Sequence, residues 1–175
     1  MKVILATRNR YLEYGLQQLL KKHSVILARE FFMPENRWYT PEYNESWLVI
    51  CDGQLRRLMR SLFQGRHFLQ LDVDMVRGIE DVHDAVRNNL WLWNTGARAL
   101  TMSEMVVIFG YIYRQLRPCR LASEMGINPK TVNTFLYTAL AKNDLDGSSV
   151  RLLAIADKPY KSVSGDSSGA VEIRQ

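Results

Sequence analysis

The sequence predicts an α/β unit built on a parallel sheet, followed by an all-α unit. Two observations carry this expectation. Short apolar runs rich in β-branched residues alternate with helical spacings from Lys2 to Leu71, an alternation that implies a parallel sheet covered on its faces. Residues 116–143, LRPCRLASEMGINPKTVNTFLYTALAKN, instead read as two helices joined by a tight turn. Between the two patterns, 94–98 (NTGAR) is short and lacks apolar periodicity, which makes it the expected boundary.

The first run, 2–6 (KVILA), reads as a buried strand. Residues 10–22 place Leu12, Leu16, Leu19 and Leu20 at helical spacing. A second strand is expected at 25–28 and a third at 47–51 (WLVIC), after a Pro- and Asn-containing stretch at 33–46. Residues 54–63 align Leu55, Leu58, Met59 and Leu62 on one helix face, and 67–71 follow as a fourth strand. From Asp72 the chain reads as a turn and then a helix, so a fifth strand is hard to find. Its acidic residues Asp72, Asp74, Glu80, Asp81 and Asp84 lack the spacing, central Gly and closing Glu of a calcium loop, and a solvated loop is expected there. Trp91 and Trp93 close this half; they are expected to seal its core, or, if exposed, to mark an interdomain or dimer surface.

In the second half, a helix is expected from Ser103 to about Arg114, with Met105, Val106, Ile108, Phe109, Ile112 and Tyr113 on its buried side. The next runs from Pro118 to Glu124 and turns Leu121 and Ala122 inward. Three signals then agree on one boundary. Gly126 can take the positive φ that ends a helix, Asn128 can cap the next one, and Pro129 suits a first helical position where no N–H is needed. The helix that follows puts Val132, Phe135, Leu136, Ala139 and Leu140 on one apolar stripe, leaving Lys130, Thr131, Asn133, Thr134, Tyr137 and Thr138 elsewhere. Such a polar face suits base edges and phosphates, although an ordinary solvated face has the same pattern. A last helix is expected at 148–156, and the Ser- and Gly-rich remainder reads as a mobile tail.

The C-terminal residues resemble a family. Leu100-Thr101-Met102-Ser103-Glu104-Met105-Val106-Val107 looks like the opening of a LuxR/NarL-type (FixJ-like) helix-turn-helix domain, and Leu121-Ala122, Met125-Gly126-Ile127, Pro129-Lys130-Thr131-Val132 and Leu140-Ala141-Lys142 continue the match. The resemblance implies a four-helix domain that binds double-stranded DNA. Lys130 and Thr131 are then placed for phosphates, and Asn133, Thr134 and Tyr137 for the groove. Two departures stand out: no Lys or Arg lies between Lys130 and Lys142, and Phe135 stands where a histidine is usual. Fewer cations displace fewer counterions, so weak binding by the isolated domain is expected.

The N-terminal half resembles a shortened, flavodoxin-like response-regulator receiver domain. KVILATRNRYLEYGLQQLL looks like a receiver's first strand and helix, and Asp52 stands where receivers carry the phospho-accepting aspartate. Receivers also need an acidic pair after the first strand to hold Mg²⁺, because phosphoryl transfer to a carboxylate requires that charge to be neutralised. Here those positions are Thr7 and Arg8. Asp52 is therefore expected to be phospho-acceptor-like but inactive, with Arg8 able to pair with it, unless it is simply a polar residue at a strand end.

The expected organisation is 1–94 receiver-like regulatory or dimerisation domain, 95–99 linker, 100–160 helix-turn-helix domain and 161–175 tail. Composition, 47% hydrophobic and 23% charged, is that of a soluble globular chain, and no apolar run reaches membrane-span length. The apolar start is too quickly interrupted by arginines for a secretory signal, so a cytoplasmic location is expected. Formal net charge is +5, compatible with nucleic acid. Residues 1–94 hold 13 Lys/Arg against 11 Asp/Glu and residues 95–161 hold 9 against 5, so the excess is denser in the proposed DNA-binding part. Cys51 and Cys119, far apart, and His23, His67 and His83 form no metal spacing, and no cofactor is expected. With no glycine-rich phosphate loop or nucleophile motif, the chain is not expected to be an enzyme. The expected function is transcriptional regulation without phosphorylation, as a homodimer or with a related regulator. The rival readings are a response regulator switched at Asp52 and a protein-interaction module that does not read DNA.

Overall fold

The computed structural model describes residues 1–39, 45–62, 68–88 and 100–142. Four parallel strands, β1 (Lys2–Ala6), β2 (Ser24–Leu27), β3 (Trp47–Cys51) and β4 (Phe68–Asp72), form a sheet of order β2-β1-β3-β4. That order is the first part of the flavodoxin-like order, with the direction of winding reversing between β1 and β3. Helix α1 (Arg10–Leu19) joins β1 to β2, and a four-residue α2 (Ala28–Phe31) with a 3-10 turn at Pro34–Asn36 follows β2. A second 3-10 turn, Gly53–Leu55, leads into α3 (Arg56–Leu62), and a third, Val73–Met75, precedes α4 (Ile79–Arg87). Three further helices follow: α5 (Met102–Arg114), α6 (Pro118–Met125) and α7 (Pro129–Lys142). Every strand expected from the sequence is present, shifted by a residue at β2 and β4. The helix expected over 54–63 is divided into the 3-10 turn and α3. The boundary at 95–99, Trp91 and Trp93, the last helix at 148–156 and the tail lie outside the described residues.

Period-two alternation divides the strand side chains between two cores. Val3, Leu5, Leu48, Ile50 and Leu69 face one side, where Leu16 and Leu20 of the α1 segment and Val82 and Ala85 of α4 cover them. Ile4, Ala6, Trp47, Val49, Cys51 and Phe68 face the other. Both sides of a parallel sheet must be covered, yet the local connections on this second side are short: α2 spans four residues and α3 seven. The cover comes from farther along the chain. Met105, Ile108 and Phe109 of α5, with Ala139 and Leu140 at the end of α7, join the same apolar cluster as the strands.

Helix α5 is thus buried on two sides. While Met105, Ile108 and Phe109 lie on the sheet, Val106 and Val107 pack with Leu121, Ala122 and Met125 of α6 and Val132 of α7. Gly110 allows a close approach: a Cβ there would overlap a Leu121 methyl carbon. Aromatic rings tighten the contact with the sheet side. Phe32 and Phe109 have centroids 4.3 Å apart, and Phe109 stacks on Tyr113 at 5.1 Å.

The thiols differ accordingly. Cys51 is buried in β3, where desolvation pushes its pKa up to about 11, whereas Cys119 is exposed on α6. A thiol-specific disulfide reagent at pH 8 is expected to label one cysteine, Cys119, in the native chain and both in denaturant; rapid labelling of both in the native state would contradict the burial of β3.

Among the described residues no helix is long and apolar enough to cross a membrane.

Candidate functional site

The turn between α6 and α7 is built by the residues that mark it in the sequence. Gly126 has φ 65° and ψ 36°, the left-handed conformation open to glycine at little cost. Its N–H donates to the Ser123 carbonyl and the Ile127 N–H to that of Ala122, at 3.4 and 3.0 Å, the paired bonds of a Schellman cap. Two residues later the Asn128 side chain accepts from the Lys130 N–H at 2.9 Å, and its carbonyl accepts from Thr131 and Val132. Pro129 is the first residue of α7. The end of one helix and the start of the next are thereby fixed within a few residues, which sets the angle at which α7 leaves the body.

Helix α7 separates its faces as its spacing predicts. Val132, Ala139 and Leu140 are buried and Phe135 and Leu136 half-buried, while Lys130, Thr131, Asn133, Thr134, Tyr137 and Thr138 are exposed. Tyr137 retains 65% of its surface. The Thr134 hydroxyl donates to the Lys130 carbonyl at 3.0 Å, so its proton is committed to the helix and its outward chemistry is that of an acceptor and a methyl group. At the far end Lys142 Nζ donates to both carboxylate oxygens of Glu104, at 2.8 and 3.0 Å, tying α7 to the start of α5. Glu104 also completes a capping box with Thr101.

A second group of residues meets where β1 and β3 end, the crevice at which open α/β sheets bind ligands. One carboxylate oxygen of Asp52 accepts from the Arg8 backbone N–H at 2.8 Å, and the buried Thr7 hydroxyl hydrogen-bonds the same carboxylate. Sequence reasoning placed Thr7, Arg8 and Asp52 together, and the structure does so. The Arg8 main chain thus holds the Asp52 carboxylate at the end of β1. Asp72 and Asp74, read as part of a solvated loop, stand near enough to act on Asp52 electrostatically; Asp72 ends β4 and binds Arg56 at 3.1 Å. Among the described residues no three His, Cys, Asp or Glu side chains converge as a metal requires.

Two further residues were not expected at this end, although the spacing puts Tyr113 on the buried side of its helix. Glu13 of α1 is buried and held by Arg29 Nε at 2.8 Å, and Tyr113 of α5 has a buried hydroxyl with no hydrogen-bond partner among the described residues. Burial first, then the Asp52 and Glu13 carboxylates, push the phenol well above 10. Helix α5 therefore brings a polar atom toward the strand ends, which neither helical period nor local motif announces.

Desolvation raises the Asp52 pKa above 3.8, outweighing the hydrogen bonds from Arg8 and Thr7 that lower it. A carboxylate raised on folding binds more protons in the native state, so it opposes folding fully above its native pKa, and the opposition fades as pH falls toward 3.8. Asp52→Asn is expected to raise stability at pH 7 relative to wild type, with the advantage lost near pH 3.8; an Asn variant less stable than wild type at pH 7 would show that the two hydrogen bonds dominate.

No protein-family model matches the chain, and no curated protein matches it. Among solved structures it is similar to a chain described as a low resolution structure of the response regulator StyR, at 17% sequence identity, covering 90% of this chain and 98% of that one. The TM-score of 0.29 is too low for that likeness to carry an argument. The parallel α/β sheet with helices on both faces stands on the strand order and packing given above.

Proposed function

We propose that the protein is a transcriptional regulator of the LuxR/NarL helix-turn-helix kind, which binds double-stranded DNA through α7 without phosphorylation, as a dimer or beside a related regulator. The observation that carries this reading is the polar face of α7: Asn133, Thr134 and Tyr137 are exposed while the opposite side is packed against α5 and α6. A helix held so firmly from behind has its reading side chains ordered before DNA arrives. Lys130 and Thr131, at the helix start, serve phosphates; Asn133 offers a donor and an acceptor to adenine, and Thr134 an acceptor and a methyl. The dearth of cations along α7 favours a second DNA-binding subunit, because each phosphate neutralised adds to affinity.

The test is selection of duplexes by the full chain from a random pool, followed by titration at several salt concentrations. Asn133→Ala and Tyr137→Ala are each expected to cost about 1–3 kcal/mol on the selected duplex and to relax the preference at one base position. Recovery of no preferred sequence, or affinity indifferent to salt, would sink the reading and leave the protein-interaction module in its place. Phosphorylation independence has its own check: acetyl phosphate with Mg²⁺ is expected to leave mass and DNA affinity unchanged, and a gain abolished by Asp52→Asn would make Asp52 a working switch.

A further inference from the structure

Trp38 exposes 79% of its surface, an unusual state for the largest apolar side chain. The ring is nonetheless positioned. The Arg37 guanidinium lies over it, 4.7 Å from the ring centroid, and the same guanidinium donates to the carbonyl of Met125, the last residue of α6. One side chain thus links the loop after β2 and its indole to the last residue before the turn that starts the reading helix, a turn at which Asn128, Pro129 and Lys130 are exposed.

Charge says what fits there. Along α7 the cations are Lys130 at the start and Lys142 at the end, and Lys142 is already engaged by Glu104. A helix with that face needs anchors from elsewhere to hold a polyanion. Arg37 supplies a cation bound at the last residue of α6, just before the turn, and an exposed indole supplies an N–H for a phosphate oxygen and a flat face for a deoxyribose.

We propose that Arg37 and Trp38 form a second DNA contact, in which the α/β half grips the sugar-phosphate backbone flanking the bases read by α7. The proposal rests on the DNA-binding reading above and adds to it that the sheet unit touches the duplex directly. The contact carries no sequence information, since it engages only the backbone. It adds affinity on one flank of the site.

The experiment uses the full chain, the selected duplex with long flanks, and the same duplex trimmed to the bases read. Trp38→Ala, Trp38→Phe and Arg37→Ala are compared with wild type by binding titration and hydroxyl-radical footprinting. Trp38→Ala is expected to weaken binding to the long duplex about fivefold to tenfold, to leave the trimmed duplex and the selected bases unchanged, and to lose protection on one flank. Arg37→Ala also removes the hydrogen bond to Met125 before α7, so it is expected to weaken the long duplex at least as much, to affect the trimmed one as well, and to lower the salt slope by about one. Because Trp38 is solvent-facing, its variants are expected to melt like wild type, and Trp38→Phe retains the flat face but loses the N–H, giving an intermediate loss. Equal affinity and footprint for wild type and Trp38→Ala would overturn this inference while leaving the α7 reading intact. Failure of the wild type to select any duplex would overturn both.

Discussion

Lys142→Ala is expected to lower the stability of the chain by about 3–5 kcal/mol, a large share of the roughly 5–15 kcal/mol that a natural domain possesses. The Glu104 side chain is 5% exposed and that of Lys142 17%, so both charges sit largely out of water. Removing the ammonium leaves a buried carboxylate with the Thr101 N–H, at 3.1 Å, as its other described donor. Desolvation of an unpaired charge then falls on the folded state alone. The double variant Glu104→Gln with Lys142→Met is expected to recover most of the loss, because two neutral side chains of similar size carry no such penalty. Urea unfolding followed by circular dichroism measures both. A loss under about 1 kcal/mol for Lys142→Ala would mean that water reaches Glu104, as for an exposed pair.

That ion pair also shows where sequence reasoning reached its limit. Thr101 and Glu104 have capping-box spacing, which is local; their partner lies 38 residues from Glu104, and no periodicity links them. Elements were legible wherever the cause was local. The runs KVILA and WLVIC are apolar without alternation because both faces of β1 and β3 are buried, and Gly126, Asn128 and Pro129 mark a turn by their own backbone preferences. The crevice was legible in part, since Thr7, Arg8 and Asp52 follow strands whose order could be guessed. Glu13 and Tyr113 were not, because each reaches it from a helix whose rotation only packing decides. Arg37 and Trp38 belong to a stretch read as a connection, and their meeting with Met125 depends on how the second half docks.

The docking of α5 does leave one local trace in the sequence. Met105-Val106-Val107-Ile108-Phe109 has no polar position in five residues, and a helix covered on one side would show one. An unbroken run says that two layers flank the helix. In the structure those layers are the sheet and the α6–α7 pair. The short α2 conveys the same fact from the other direction, since the sheet face above it lacks a local cover.

Phe109→Ala is therefore expected to cost about 3–5 kcal/mol and to loosen both halves at once. The ring is 2% exposed and lies between Phe32, from the α/β half, and Tyr113 on its own helix. Truncation leaves a void that neither neighbour can fill, because Phe32 is anchored to the sheet side and Tyr113 to α5. Were α5 an attachment of the helical unit alone, the loss would be confined to residues after 100, and the strands would keep their protection. With Phe109 in the same cluster as Trp47 and Val49, amide exchange in β3 is expected to accelerate in the variant along with exchange in α6. Amide exchange by residue distinguishes the two outcomes: unchanged protection at Val49 beside lost protection at Leu121 would show two independently stable units. Coupled loss would mean that the strands and the α6–α7 pair unfold as one cooperative unit, because one helix is the floor of both.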